Sequence, residues 1–197
     1  MNLPNKLTLL RLCLIPFFLV FMYDPFQWGS IQMLGSHINL SILVAAIIFV
    51  FASFTDYLDG YIARRDQLVT NFGKFADPLA DKILVAAAMV MLVDIDLAPG
   101  WVVALILGRE FAVTGLRLLL VELGGTVLAA AWPGKIKTVT QMSAIIFLLV
   151  DDFPFGWTGI PIGLILLYVA LFFTLYSGID YFYNAREYFV GTLGKKE

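Results

Sequence analysis

The sequence is poor in the residues that make soluble surfaces and thiolate sites. Asp, Glu, Lys and Arg together supply 14% of its 197 residues, whereas an ordinary soluble domain carries about a quarter. A single cysteine, Cys13, excludes an intrachain disulfide and a cysteine-based metal cluster. Its place in an apolar run points to inert packing. His37 is also alone, which argues against an imidazole zinc site, and beside a turn it reads as structural or solvent-facing.

What fills the space is apolar. The chain is 60% hydrophobic, contains 17 Phe and has a mean hydropathy of +0.88. No Asp, Glu, Lys or Arg occurs from Gln27 to Thr55 or from Phe153 to Ile179. Such stretches suit helices of about 20 residues crossing a hydrocarbon core about 30 Å thick. The N-terminal run lacks a small-residue cleavage pattern and further apolar spans follow, so it is expected to stay as a helix rather than be removed as a signal peptide.

Turn signals at Asp24-Pro25, Asn71-Phe72-Gly73, Ala98-Pro99-Gly100, Trp132-Pro133-Gly134 and Asp152-Phe153-Pro154 divide the chain into six expected helices. These cover approximately 7–23, 39–63, 78–95, 99–121, 136–151 and 159–183, with five crossings as the alternative. The fold class expected is an all-α polytopic membrane protein, a six-transmembrane-helix bundle forming one membrane-embedded domain over residues 1–197. No separate soluble domain, long linker or repeat interrupts it.

Charge patterning tests that count independently. The connections around Asp24–Ile38, Asp94–Pro99 and Asp151–Gly159 contain no Lys or Arg. The other side receives Lys6, Arg64, Arg65, Lys74, Lys135, Lys137, Arg186, Lys195 and Lys196. Basic residues are retained on the cytoplasmic side, so both termini and the site are expected there. Arg11, Lys82, Arg109 and Arg117 fall within the helices; long side chains near helix ends snorkel to water. Arg109 is deep enough to need a polar cavity or a partner, and Glu110 can draw it into a local ion network. Asp94, Asp96, Asp151 and Asp152 occupy the opposite turns, where water solvates them.

The most informative residues are two pairs of carboxylates. Asp56 and Asp59 are three apart near the end of the second expected helix, so they share a face. Asp77 precedes Pro78, which suits the first turn of a third helix, and Asp81 follows Asp77 by four residues. Adjacent carboxylates near a membrane repel unless a cation or a wet cavity compensates them. Four converging oxygen donors favour a hard divalent ion, Mg²⁺ or Mn²⁺, and two ions can bridge phosphate oxygens. Gly60, Ala63 and Gly73 read as close-packing residues or as room for a nucleotide against the backbone, with the structural reading stronger at Gly73, where a helix-to-loop reversal is expected.

The full pattern Asp-x2-Asp-Gly-x2-Ala-Arg-x8-Gly-x3-Asp-x3-Asp is filled by Asp56, Asp59, Gly60, Ala63, Arg64, Gly73, Asp77 and Asp81. In this the chain resembles the CDP-alcohol phosphatidyltransferase family. The resemblance implies that Asp56, Asp59, Asp77 and Asp81 surround a divalent-metal centre, with Asp81 as the base for the acceptor hydroxyl. It implies that Asp56, Gly60, Ala63, Arg64 and Gly73 adjoin the CDP-lipid. Pro4–Arg11, Gly108–Arg117 and Gly134–Thr138 narrow it to members that use CDP-diacylglycerol and sn-glycerol 3-phosphate and release CMP. Arg109, Arg117, Lys135 and Lys137 then become candidates for the acceptor phosphate, through charge-assisted hydrogen bonds.

The partners so implied are CDP-diacylglycerol, sn-glycerol 3-phosphate and membrane phospholipid, with a homodimer and no nucleic acid. Rival readings are a member of the same family using inositol phosphate, serine or phosphatidylglycerol as acceptor, an ion-coupled membrane transporter, and a purely structural membrane protein.

Overall fold

The computed structural model describes the backbone of residues 3–24, 26–65, 71–122 and 132–193; within these, the side chains of 3–5, 7, 56–65, 71–79, 81, 121–122 and 187–193 are not described. Six α-helices account for most of the described chain: α1 Leu3–Met22, α2 Leu40–Arg65, α3 Asn71–Asp94, α4 Gly100–Glu122, α5 Trp132–Leu149 and α6 Ile162–Leu193. All six expected helices are therefore present as helices, with shifted ends.

The largest shift is at α3. The expected start at Pro78 gives way to a helix that already runs from Asn71, so the Asn71-Phe72-Gly73 turn signal lies inside α3 and Asp77 is not its cap. A proline is tolerated there at the cost of one missing donor toward the carbonyl four residues earlier. Similarly, α5 begins at Trp132, placing Pro133 in its first turn, where a missing donor is harmless. At the other end α6 extends ten residues beyond the expected Tyr183.

A second correction concerns the all-α reading. A two-stranded antiparallel hairpin, β1 Ser30–Met33 and β2 Ser36–Asn39, occupies the connection between α1 and α2. Leu34 and Gly35 form its two-residue turn, both with positive φ, 49° and 84°, as a primed hairpin turn requires. Asn39 then starts α2: its Oδ1 accepts from the Ser41 N–H at 2.8 Å, satisfying a donor the helix cannot, and its Nδ2 donates to Asp24 Oδ2 at 2.8 Å.

The chain divides into two compact units, Met1–Ala98 with Ile145–Leu164, and Pro99–Ala144 with Ile165–Glu197. In the first, α1 packs against both α2 and α3, and α2 touches α3. The buried stripe of α1 is Thr8, Arg11, Ile15, Phe18 and Met22, alternating three and four residues as one helix face must. Arg11 is fully buried; it does not snorkel. Cys13, expected to pack inertly in its apolar run, is exposed on α1.

The hairpin of this unit is seated on the loop between α5 and α6. Ser36 Oγ donates to the Asp151 carbonyl at 2.6 Å, and the His37 N–H donates to Asp151 Oδ2 at 2.7 Å. His37 is thus structural through its backbone, while Asp151 has a protein partner in addition to solvent. Asp152 is only partly exposed: its Oδ1 accepts from the Gly163 N–H at 2.6 Å. Burial, the opposing hydrogen bond from Gly163 and the charge of Asp151 leave its carboxyl titrating above the ordinary 3.8.

The second unit has its core where α4 meets α6, with Val113, Leu116 and Leu120 against Tyr181 and Ala185. Across the described chain, large apolar side chains such as Phe17, Ile47, Phe54, Leu118, Phe172 and Ile179 face outward, while Thr8, Arg11, Ser41, Gln141, Thr174 and Ser177 are buried. Soluble monomers avoid apolar exteriors on this scale. Among the described residues, one segment, Ile162–Arg186, is by itself long and apolar enough to cross a bilayer; Thr8–Met22 and Leu40–Thr55 are apolar but shorter.

Candidate active site

The carboxylate motif is distributed over two helices of the first unit. Asp56, Asp59, Gly60, Ala63 and Arg64 belong to the last turns of α2, and Gly73, Asp77 and Asp81 to the first turns of α3. Their side chains lie outside the described residues. The two helices touch, and α1 packs against each, so the fold sets the carriers of both pairs side by side. Among the described residues no group of three or more His, Cys, Asp or Glu side chains could hold a metal ion. The donor set that fits one is the motif itself: four carboxylates and no thiol or imidazole match a hard, oxygen-seeking divalent cation.

Arg11 was absent from the sequence-derived site. It is a fully buried cation on α1, which packs against both carboxylate-bearing helices. Its three-and-four spacing with Thr8 and Ile15 was the signal that could have identified it as inward-facing.

The proposed acceptor residues all lie in the second unit. Along α4, the inward stripe Val103, Ile106, Val113 and Leu116 skips a turn, and Arg109 and Glu110 occupy the gap. Successive helix residues point about 100° apart, and these two part company accordingly. Arg109 turns to α6, where its Nη2 donates to Ser177 Oγ at 2.9 Å. Glu110 forms an ion pair with Lys137 of α5. Glu110 also interacts electrostatically with Arg109, so the expected local network is present and is extended to α5 and α6 by these two contacts.

Ser177 and Gly178 together make a notch for Arg109. The Ser177 hydroxyl passes its own hydrogen to the Phe173 carbonyl at 2.7 Å, leaving a lone pair for the guanidinium. A Cβ at Gly178 would stand 3.0 Å from Arg109 Cγ and 3.1 Å from its Nε. No sequence pattern marked this pair; it emerges only when α4 and α6 are set together. Beside the notch, Ala104, Gly108 and Arg109 face Gly178 and Ile179 across a groove of about 630 Å³.

Arg117, two turns along α4, sits with Cζ 5.2 Å from the Tyr181 ring centroid. Arg109 Nε, Arg117 Nε and Tyr181 Oη are buried without a hydrogen-bond partner among the described residues. Buried polar atoms are nearly always satisfied, so these three atoms have hydrogen-bonding capacity left over. Lys135 behaves differently from Lys137. It is exposed, with Nζ 5.4 Å from the Trp132 ring centroid, as expected for residues three apart on a helix. Arg109, Arg117 and Lys137 are thus drawn inward and Lys135 is not.

With the residues in place, comparison with known proteins gives the class. The profile described as CDP-alcohol phosphatidyltransferase matches residues 1–176, and the chain belongs to that family. It is a mostly helical, membrane-associated protein.

Among its relatives, a Bacillus subtilis protein named CDP-diacylglycerol--glycerol-3-phosphate 3-phosphatidyltransferase is 52% identical over 181 residues, 92% of this chain and 93% of the relative. Proteins of the same name from Sodalis glossinidius and Salmonella paratyphi A are 38% and 40% identical. They cover 95% and 94% of this chain, and 96% and 95% of their own lengths.

Proposed function

We propose that the chain transfers the phosphatidyl group of CDP-diacylglycerol to sn-glycerol 3-phosphate, forming phosphatidylglycerophosphate and CMP. The observation that carries this reading is the near full-length similarity to relatives bearing that name, in a chain that holds every residue of the carboxylate motif.

In this mechanism Asp56, Asp59, Asp77 and Asp81 hold two divalent ions, Mg²⁺ or Mn²⁺. When bound, such ions neutralise pyrophosphate oxygens and stabilise the charge on the departing CMP. Asp81 accepts the proton of the acceptor hydroxyl as its oxygen bonds to the phosphorus bearing diacylglycerol. The bond from that phosphorus to the CMP oxygen breaks. Gly60, Ala63 and Gly73 leave room for the CDP group and Arg64 pairs with its phosphates. Arg109, Arg117 and Lys137 receive the acceptor's phosphate, which supplies acceptors for the buried Nε atoms of both arginines, and Lys135 adds its positive charge from the exposed face of α5.

All six helices cross the bilayer in one domain, both termini and the site face the cytoplasm, and two copies associate. The positive-inside bias supports this orientation. Acyl chains stay in the cytoplasmic leaflet while the head group and soluble acceptor meet at the surface, so the whole lipid need not be extracted.

The test offers glycerol 3-phosphate, inositol phosphate, serine and phosphatidylglycerol together in one CMP-release assay and identifies the lipid products by mass. Phosphatidylglycerophosphate is the expected dominant product. Preference for a phosphate-free alcohol would remove the Arg/Lys acceptor site. Asp81→Asn is expected to lose turnover while retaining fold and CDP-lipid binding; normal turnover removes Asp81 from the base role.

A further inference from the structure

Glu110 and Lys137 are both largely withdrawn from solvent, with side-chain exposures of 11% and 12%, and each is the other's ion-pair partner. The neighbouring cation on α4, Arg109, is engaged elsewhere by Ser177 and Gly178. Glu110 makes its ion-pair contact with Lys137. A lysine stem that is not tethered samples many rotamers. Lys135 illustrates the untethered case: with no carboxylate contact among the described residues, it lies exposed over an aromatic ring.

We propose that Glu110 is a positioning residue for the acceptor: it holds the Lys137 ammonium where the phosphate of the acceptor binds, without touching substrate itself. This rests on the assignment of Lys137 to the acceptor phosphate. An ammonium has three donors. The carboxylate takes one and two remain for phosphate, so a carboxylate–ammonium–phosphate ladder forms on binding. Direct contact between Glu110 and the phosphate is disfavoured by like charge. The residue thereby acts on the phosphate-bearing acceptor and not on the CDP-lipid.

The full-length protein, purified in detergent, is assayed with each substrate varied in turn. Glu110→Gln is expected to raise KM for glycerol 3-phosphate about tenfold, the scale of one charge-assisted contact. The KM for CDP-diacylglycerol and kcat are expected to stay within about twofold of the parent. Glu110→Asp recovers part of the loss. Lys137→Met raises the same KM at least as far, and adding Glu110→Gln to it changes nothing more, because both act through one ammonium.

An unchanged acceptor KM in Glu110→Gln overturns the proposal, as does a parallel rise in both KM values or a multiplying of the two single effects. An unchanged KM in Lys137→Met overturns it at Lys137, exposing the acceptor assignment rather than Glu110 as the error. The exchange Glu110→Lys with Lys137→Glu guards against misfolding. It keeps the ion pair but moves the ammonium, so the acceptor KM is expected to stay raised while the CDP-lipid KM is normal. Full recovery of the acceptor KM there would make the pair merely structural.

Discussion

Arg109 of α4 and Ser177 of α6 are joined by a 2.9 Å hydrogen bond, and the absence of a side chain at Gly178 is what lets the arginine lie flat against α6. A charge deep in an apolar helix is costly unless a partner meets it. Here the partner is a hydroxyl supplied together with space.

That relationship makes a paired prediction. Ser177→Ala leaves a guanidinium N–H unpaired and is expected to cost about 1–3 kcal/mol of stability. Gly178→Ala keeps the hydroxyl but displaces Arg109, so the acceptor KM is expected to rise more than stability falls. Thermal unfolding and substrate-resolved kinetics on the two variants check this; identical behaviour of the two would separate Gly178 from the placing of Arg109.

Gly35 and Gly156 make a second close approach, between the hairpin turn and the α5–α6 loop. A Cβ at Gly35 would lie 2.7 Å from the Trp157 backbone nitrogen, and one at Gly156 would lie 2.2 Å from Ser36 Oγ. Gly35 also has φ of +84°. Gly35→Ala combines strain with collision and is expected to cost at least about 1–3 kcal/mol. Gly29→Ala has positive φ but open space around it and is expected to cost less. Unfolding temperatures of the two variants decide this.

Arg11 and Arg186 form a contrast in burial. Arg11 is fully buried on α1, whereas Arg186 is exposed and stacks on Tyr183 at 3.8 Å. Arg11→Ala is expected to cost about 2–5 kcal/mol through a cavity and a disrupted polar interior. Arg186→Ala is expected to cost about 1 kcal/mol or less. Arg11→Lys should rescue poorly, since an ammonium cannot replace a planar fork. Equal unfolding temperatures for Arg11→Ala and Arg186→Ala would contradict the inward placement of Arg11.

Asp152 gives a pH signature. Its carboxyl titrates above 3.8, chiefly because burial disfavours the charged form, with the Asp151 charge adding and the Gly163 hydrogen bond opposing. Folding therefore favours its protonated state. The resulting penalty is absent below the ordinary value and grows as pH rises through the raised one. Asp152→Asn retains an acceptor for Gly163, so it is expected to unfold at a higher temperature than the parent at pH 7 and at nearly the same temperature at pH 4. A larger gain at pH 4 than at pH 7 would reverse the sign.

Long-range apolar patterning made the six helices readable, and local turn chemistry placed Ala98-Pro99-Gly100 and Asp152-Phe153-Pro154 correctly. The same local rules failed at Asp77-Pro78, where cap-like residues lie inside a longer helix. The hairpin was not legible because Leu34-Gly35 is a poor primed-turn pair and the strands carry little β-branched alternation. What holds it is Asp151, more than a hundred residues away. The carboxylate motif was readable because its spacing encodes helix faces. The Arg109 notch and the Glu110–Lys137 pair were not, because nothing in one helix specifies which neighbour an adjacent residue will face.

The most direct measurement follows labelled glycerol 3-phosphate into lipid with purified protein, CDP-diacylglycerol and a titrated divalent ion. One CMP released per labelled lipid, strictly dependent on Mg²⁺ or Mn²⁺ and abolished by chelation, is the expected result. Undiminished lipid formation in excess chelator, or no labelled lipid and no CMP across detergents, lipids and metal concentrations, would contradict the metal-held carboxylate account.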